Sequence, residues 1–184
     1  MCTRRCRQGG ITLVEQIVFI IIISVGVIGL VSVMNSTIRS SADPMRTKQM
    51  VAIAESLLAE ILHQPFTWCD PDDTAATTAL SYADCSNPQN TLAAVPAGES
   101  RTGTGPGTFY DNVADYGGFS QLNITDAAGN NAMTGYTASV ALAMVGTAMG
   151  LADNSAALSI TVTVSRDGET VSLTGYRFRY APRT

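Results

Sequence analysis

The stretch from Gln16 to Ile38 contains no charged residue, and Ile17 to Met34 is almost entirely Ile, Val, Leu, Phe, Gly and Ser. That run constrains the fold more than any other feature of the 184-residue chain. A helix of about 18 or more apolar residues, rising roughly 1.5 Å per residue, is long enough to cross a bilayer. Beyond Arg39 the sequence is polar enough for a soluble body, and its length suits one domain with a core. Arg4, Arg5 and Arg7 precede the run. Positive charge ahead of a first span holds that end in the cytoplasm and sends the rest outward. The chain carries 15 acidic against 11 basic residues and has no basic stripe, so no nucleic-acid partner is expected. Cys2 and Cys6 lie in the basic leader, whereas Cys69 and Cys85 lie in the exported part, an oxidising compartment where they can pair. Closing a loop of that size is worth about 3 kcal/mol in the chain-entropy model.

Three readings of the N-terminus compete. A secretory signal has a basic start, a short apolar core and a small-residue cleavage site, for which Ser40-Ser41-Ala42 could serve. The apolar run is long for such a core. An uncleaved anchor explains the length and the arginines but leaves Glu15 without a role. The third reading rests on GGITLVEQIVFIIII, which resembles the processing site of type IV prepilins and of the pseudopilins of type II secretion. Matched residue by residue, Gly10 is the last leader residue and Ile11 the new, N-methylated terminus. Glu15 falls at the fifth mature position, where the family places a glutamate. Ile11 departs from the phenylalanine most members carry there. A charge near the middle of a span costs about 2.5–3.5 kcal/mol and usually pairs when retained. The resemblance implies that Glu15 pairs with the N-terminal amine of a neighbouring subunit and sets the register of a helical bundle. Gly26 and Gly29 suit close helix packing in such a bundle.

The resemblance extends along the chain. ADPMRTKQMVAIAESLLAEILHQPF, FYDNVADYGGF and LSITVTVSRDGETVSLTGYRFRY are similar to the minor pilins of mannose-sensitive haemagglutinin (MSHA) pili. The implied partners are other pilin and minor pilin subunits, the prepilin peptidase that also methylates, and the inner-membrane assembly platform. The implied location is the inner membrane, with the C-terminal domain periplasmic, and then the extracellular pilus. The exported cysteines follow the helix directly instead of bracketing the C-terminal sheet, so the usual disulfide-bounded adhesive loop is not expected.

The residues also predict an organisation of their own. Residues 1–10 form the leader, 11–38 the transmembrane or filament-core helix, and 39–65 an amphipathic helix. Asp43-Pro44 reads as its N-cap and first helical residue, and Gln64-Pro65 as its end. Alternatively, Pro44 kinks one long helix. Val51, Ala54, Leu57, Leu58, Ile61 and Leu62 recur at helical spacing, with Lys48, Glu55 and Glu60 elsewhere on the surface. Residues 66–135 are rich in Asp, Ser, Thr, Gly and Pro and read as an irregular region tied by the disulfide. Residues 136–184 alternate with period two. Tyr136, Ala138, Val140, Leu142 and Met144 share one face, as do Leu158, Ile160, Val162 and Val164. Asp167-Gly168 makes a hairpin turn. The return strand turns Val171 and Leu173 inward and then shifts parity to Tyr176, Phe178 and Tyr180, which suggests a bulge at Gly175. The expected class is α+β, a pilin-like long helix packed on an antiparallel sheet.

No enzyme is expected. The single histidine, His63, ends the amphipathic helix, and nothing near it resembles a nucleophile elbow. GTGPG at 103–107 lacks the Lys-Ser/Thr of a phosphate loop. Oxygen-ligand candidates for calcium are Asp70, Asp72, Asp73 and Asp84, but DPDD lacks the EF-hand spacing and glycine, so no metal and no cofactor are assigned. The tyrosines of FYDNVADYGGF could face a carbohydrate or pack on the sheet. A type II secretion pseudopilin shares the N-terminal features. A secreted or anchored periplasmic binding protein or enzyme is the alternative of another class.

Overall fold

The computed structural model describes residues 10, 12–105, 107–130 and 133–179, with residues 36–43 described by backbone alone. The chain divides into two compact units, Met1–Arg46 and Thr47–Thr184. One helix, α1 (Leu13–His63), contributes to both. It ends where Gln64-Pro65 requires, and the Gln64 amide closes the last turn on the Ile61 carbonyl at 3.1 Å. No helix starts at Asp43, so the expected cap there is not realised. Pro44 lies inside α1. Proline removes one ladder donor, but each flank is long enough to propagate helix on its own side.

In the second unit α1 turns one stripe inward. Met50, Ala54, Leu57 and Ile61 are fully buried, and Ile53, Leu58 and Leu62 flank them. Met50 starts the stripe in place of the expected Val51, which is only half-buried. The stripe packs on a four-stranded antiparallel meander of β1 (Ser120–Leu122), β2 (Thr137–Met144), β3 (Ala157–Arg166) and β4 (Glu169–Phe178), in that spatial order. The period-two reading of β2 and β3 holds. Tyr136, Ala138 and Val140 are buried, as are Leu158, Ile160, Val162 and Val164. β1 falls in the region expected to be irregular. Asp167 and Gly168 turn the β3–β4 hairpin with φ of 52° and 86°, the left-handed pair that a two-residue type I′ turn needs.

β4 contains no bulge. Its register with β3 runs one-to-one from Arg166↔Glu169 to Ala157↔Phe178, through Ile160↔Gly175. Parity is kept, so Tyr176 and Phe178 lie on the outer face, each half exposed. Tyr180 lies outside the described residues. Gly175 faces inward for a packing reason: a Cβ there would stand 3.1 Å from Leu58 Cδ1 of the helix. Arg177, also inward, donates to the Gln64 carbonyl at 3.3 Å.

The segment expected to be irregular is well anchored. Cys69 and Cys85 are bridged, and Tyr110, Tyr116 and Phe119 form an edge-on aromatic cluster in the core. The tyrosines of FYDNVADYGGF therefore pack inward. Glu60, expected on the surface, accepts from Tyr116 Oη at 2.8 Å and pairs with Arg101 at 2.5 Å. At the chain's far end the Arg179 guanidinium lies 3.6 Å from the Trp68 ring centre and 4.1 Å from that of Phe66, and it donates to Tyr82 Oη at 2.8 Å.

The close approach at Gly175 has a measurable consequence. Gly175→Val is expected to destabilise the full-length protein in detergent by about 1–3 kcal/mol through overpacking. Leu58→Ala in the same chain should return part of that loss. Urea unfolding of both single variants and the double variant gives the coupling; strictly additive effects would refute the contact as the reason for the glycine.

Candidate functional site

Two features stand out for function: the N-terminal part of α1 and a cluster of carboxylates in the loop region. α1 begins immediately after Thr12, whose side-chain oxygen accepts the Glu15 amide at 3.3 Å while its carbonyl accepts the Gln16 amide at 3.2 Å. Thr12 is thus the N-cap, and Thr12-Leu13-Val14-Glu15 has the T-x-x-E spacing of a capping box. Glu15 consequently sits in the first turn of the helix, not in the middle of a span. A carboxylate there is favoured by the amide ends of the helix dipole. Gly10 is exposed. Ile11, the expected new terminus and methylation site, lies outside the described residues, as do Cys2 and Cys6.

From Leu13 to Asn35 the helix is long and apolar enough to cross a membrane. Its 23 residues span about 35 Å at 1.5 Å each. None of this segment is buried among the described residues, and its large aliphatic side chains are between 49% and 76% exposed. Each gains about 1.5–3 kcal/mol on full burial, so water is a poor surrounding for the segment. A helix apolar all round belongs in lipid or among other helices. A Cβ on Gly26 or Gly29 would meet nothing within 4 Å, so no contact among the described residues requires either glycine. Ser24 returns its hydroxyl to the Ile20 carbonyl at 2.7 Å.

The disulfide organises the second feature. A bridge pairs Cys69 with Pro88, and the Asp70 and Gln89 amides bond the Asn87 and Trp68 carbonyls, each at 2.9 Å. The four expected oxygen candidates then separate into two groups. Asp73 accepts from Ala75, Ser86 and Asn87 amides at 2.7–2.9 Å, and Asp84 accepts from the Leu80 and Ser81 amides at 3.0 and 2.9 Å. These backbone donors lower both pKa values; the two residues staple the loop. Asp70 and Asp72 instead meet Asp111, with carboxylate oxygens all within 4.8 Å of one another.

Two further acids feel the charges of this trio. Asp115 is fully buried; its Oδ2 accepts the amides of Asp111 and Asn112 at 3.0 and 2.7 Å, and its Oδ1 has no hydrogen-bond partner. Glu99 Oε2 is likewise buried and unpartnered. Glu99 and Asp70 line a cavity of about 480 Å³ with Asn87, Gln89 and Thr91. Burial first, then the charges of Asp115, Asp70, Asp111 and Asp72, push Glu99 up to about 7. Burial, then Asp70 and Asp72, raise Asp111 to about 6. Asp115 also rises to about 6, mainly by burial, against the pull of its two amide donors. The ion pairs Glu60–Arg101 and Asp167–Arg166 lie elsewhere. Sequence reading missed Asp111, Asp115 and Glu99 because they are distant in the chain from DPDD. The one local signal was the density of acids in FYDNVADY. His63 is exposed at the helix end, its Nδ1 2.6 Å from the Ala59 carbonyl.

These shifts fix the sign of a pH effect. Glu99, Asp111 and Asp115 hold protons in the folded state that the unfolded chain releases, so their contribution is fully present below about pH 4 and lost as pH rises through about 6–7. Asp73 and Asp84 act oppositely, their contribution fading only as pH falls below the ordinary carboxylate range. In a metal-chelating buffer the thermal unfolding midpoint should therefore rise as pH is lowered from about 7.5 to about 5. Glu99→Gln should flatten that rise; a midpoint that falls monotonically over the same window would contradict the carboxylate arrangement.

Compared with family models, curated proteins and solved structures, the chain matches none of them.

Proposed function

We propose that the chain is a minor pilin-like structural subunit of an MSHA-type type IV pilus, similar to the D-type minor pilin of that system, acting in assembly initiation or at the tip. One observation carries the reading. The segment Leu13–Asn35, apolar on every side and exposed among the described residues, follows Gly10-Ile11 and the capping Thr12 and bears a single acid, Glu15, in its first turn. Processing between Gly10 and Ile11 removes the arginine-bearing leader and creates an α-amino group four residues from Glu15. In the membrane the segment is solvated by lipid. In the filament, neighbouring helices replace the lipid, Gly26 and Gly29 allow close approach, and Glu15 pairs with a neighbour's terminal amine. The partners are other pilin and minor pilin subunits, a prepilin peptidase that also methylates, and an inner-membrane assembly platform.

A secretory cleavage at Ser40-Ser41-Ala42 fits less well. That site falls within the backbone of α1, and cutting there would sever a continuous helix.

Mass spectrometry of the N-terminal peptide, from protein expressed with a prepilin peptidase, tests the reading. A peptide starting at methylated Ile11 is expected; a start at Asp43 or an intact leader would overturn it. Glu15→Ala should leave the protein membrane-bound and stable while nearly abolishing its recovery in sheared filaments. Recovery of the processed protein only in short periplasmic filaments would assign it to the pseudopilins instead.

A further inference from the structure

The two edges of the sheet are not alike. β1 is three residues long, and the chain enters it through Gly118, where a Cβ would stand 2.4 Å from the Ala93 carbonyl of the neighbouring loop. β4 is ten residues long and pairs on one side only, with β3. Arg166 and Glu169 flank the two-residue turn and so form a hydrogen-bonded pair; from there, alternate residues of β4 bond to β3. Arg179 keeps that parity, its amide donating to the Ala156 carbonyl at 2.8 Å. The backbone groups of Thr170, Ser172, Thr174, Tyr176 and Phe178 consequently point away from the sheet. All five residues are exposed, and among the described residues no backbone group meets them from that side.

An open row of this kind is a template for another strand, and proteins ordinarily spoil it with a lysine, a proline, a bulge or a short strand. β4 has none of these. Its sequence, ETVSLTGYRF, contains neither lysine nor proline, and the one-to-one register with β3 leaves no bulge. Its only charges, Glu169 and Arg177, lie near its two ends. On the side facing α1, Val171 and Leu173 are only half-buried, as is Leu58 of the helix, although all three pack on the core. Arg177 has no acid partner among the described residues, and its Nε is buried without an acceptor.

We propose that the free edge of β4 binds one extended, antiparallel strand of a different polypeptide, with apolar residues at alternate positions and an acid opposite Arg177. Only another extended backbone presents donors and acceptors at the spacing this row requires. The outer face of the sheet is open to water, which suits an antiparallel addition. Backbone bonds to the outward residues supply affinity, the apolar row covers Val171 and Leu173, and the acid complements the unpaired charge of Arg177. A second copy is not the donor. β4 runs in the direction of α1, with Gly175 beside Leu58 and Arg177 beside Gln64, so antiparallel pairing of two β4 edges would set their α1 helices antiparallel. A bundle of parallel helices in the proposed filament forbids that, and this choice of donor is the one step that rests on the pilin reading.

The test uses full-length protein in detergent and a fluorescent synthetic peptide of the β4 sequence, ETVSLTGYRF. Aligned antiparallel about Leu173, this peptide places its glutamate opposite Arg177, and it carries no helix to clash. Saturable one-to-one binding by fluorescence anisotropy is expected, with slowed hydrogen exchange in β4 and none in β1. Ser172→Pro removes one outward N–H and leaves the β3 ladder intact. It should weaken binding about ten-fold or more while the thermal midpoint stays close to the parent's. Thr174→Lys should also weaken binding, as should glutamine in place of the peptide's glutamate. Gln121→Ala, on β1, should bind as the parent does. No binding by the parent, or binding unchanged in Ser172→Pro and Thr174→Lys, would overturn the proposal. A photo-crosslinker at Thr174, in the cells that make the protein, should join it to a different chain identified by mass spectrometry. Crosslinking to a second copy, or to nothing, would overturn the choice of donor. The peptide assay does not involve the N-terminus, so its outcome is independent of where the leader is cut.

Discussion

A helix that is apolar on every side as far as Asn35, and on one side only from Thr47 to His63, sets what each part of the chain requires. The first stretch is exposed throughout among the described residues. The second finds its cover in the sheet, and the closeness of that cover depends on small residues. Ala54 is fully buried at the centre of the stripe, and Gly175 leaves room on β4 for Leu58. The inward aliphatic faces of β2 and β3, fully buried along β3 and as far as Val140 on β2, complete the same contact. Without the helix the sheet would expose one apolar face, and a sheet of this size with a solvated core face is not independently stable.

The loops between helix and sheet use one residue type in three ways, and environment alone separates them. Asp73 and Asp84 take backbone amides and remain charged at low cost. Glu60 takes a guanidinium and a phenol, so its burial under the 116–119 segment is compensated on both oxygens. Asp70 and Asp115 take amide donors too, but Asp72 and Asp111 each bring one oxygen within 4.8 Å of one from Asp70, and Asp115 Oδ1 and Glu99 Oε2 accept nothing. The first two arrangements lower the energy of the folded chain as it stands. The third raises it where the acids ionise, and Glu99, Asp111 and Asp115 accordingly hold their protons to higher pH. Arg179 does not enter the cluster, being committed to the rings of Phe66, Trp68 and Tyr82.

Much of the fold was legible because it rests on local rules. Pro65 stops the helix, Asp167-Gly168 dictates the turn, and alternation in β2 and β3 names the buried face. The bridge between Cys69 and Cys85 followed from compartment and count. The failures share a cause, in that a local signal was outweighed by a longer contact. Gly175 read as a bulge because aromatic residues followed it, whereas the helix residue Leu58 demanded the glycine and left Tyr176 and Phe178 to the outer face. Asp43-Pro44 read as a helix start because it has the right residues, although both flanks already favoured helix. The carboxylate cluster was half legible: two of its aspartates stand in DPDD, but Glu99, Asp111 and Asp115 join them only through tertiary packing. Thr12 was missed although T-x-x-E is a local signal, since attention to Glu15 as a charge obscured its place as the third helical residue.

That place changes the energetic argument for Glu15. The span from Leu13 to Asn35 is about 35 Å long and a typical hydrocarbon core about 30 Å. The excess of about 5 Å covers the first three residues of the helix, Glu15 included. Its carboxylate can then stay at the headgroup level, where a charge costs far less than at mid-span, and the helix dipole favours it there. Residence in the membrane by itself therefore asks for no partner. A partner becomes necessary only when the helix leaves lipid and its first turn is enclosed by other helices, because an unpaired charge is then desolvated. On the proposed reading, the glutamate discriminates between correct and incorrect packing at the moment of assembly and is nearly silent before it.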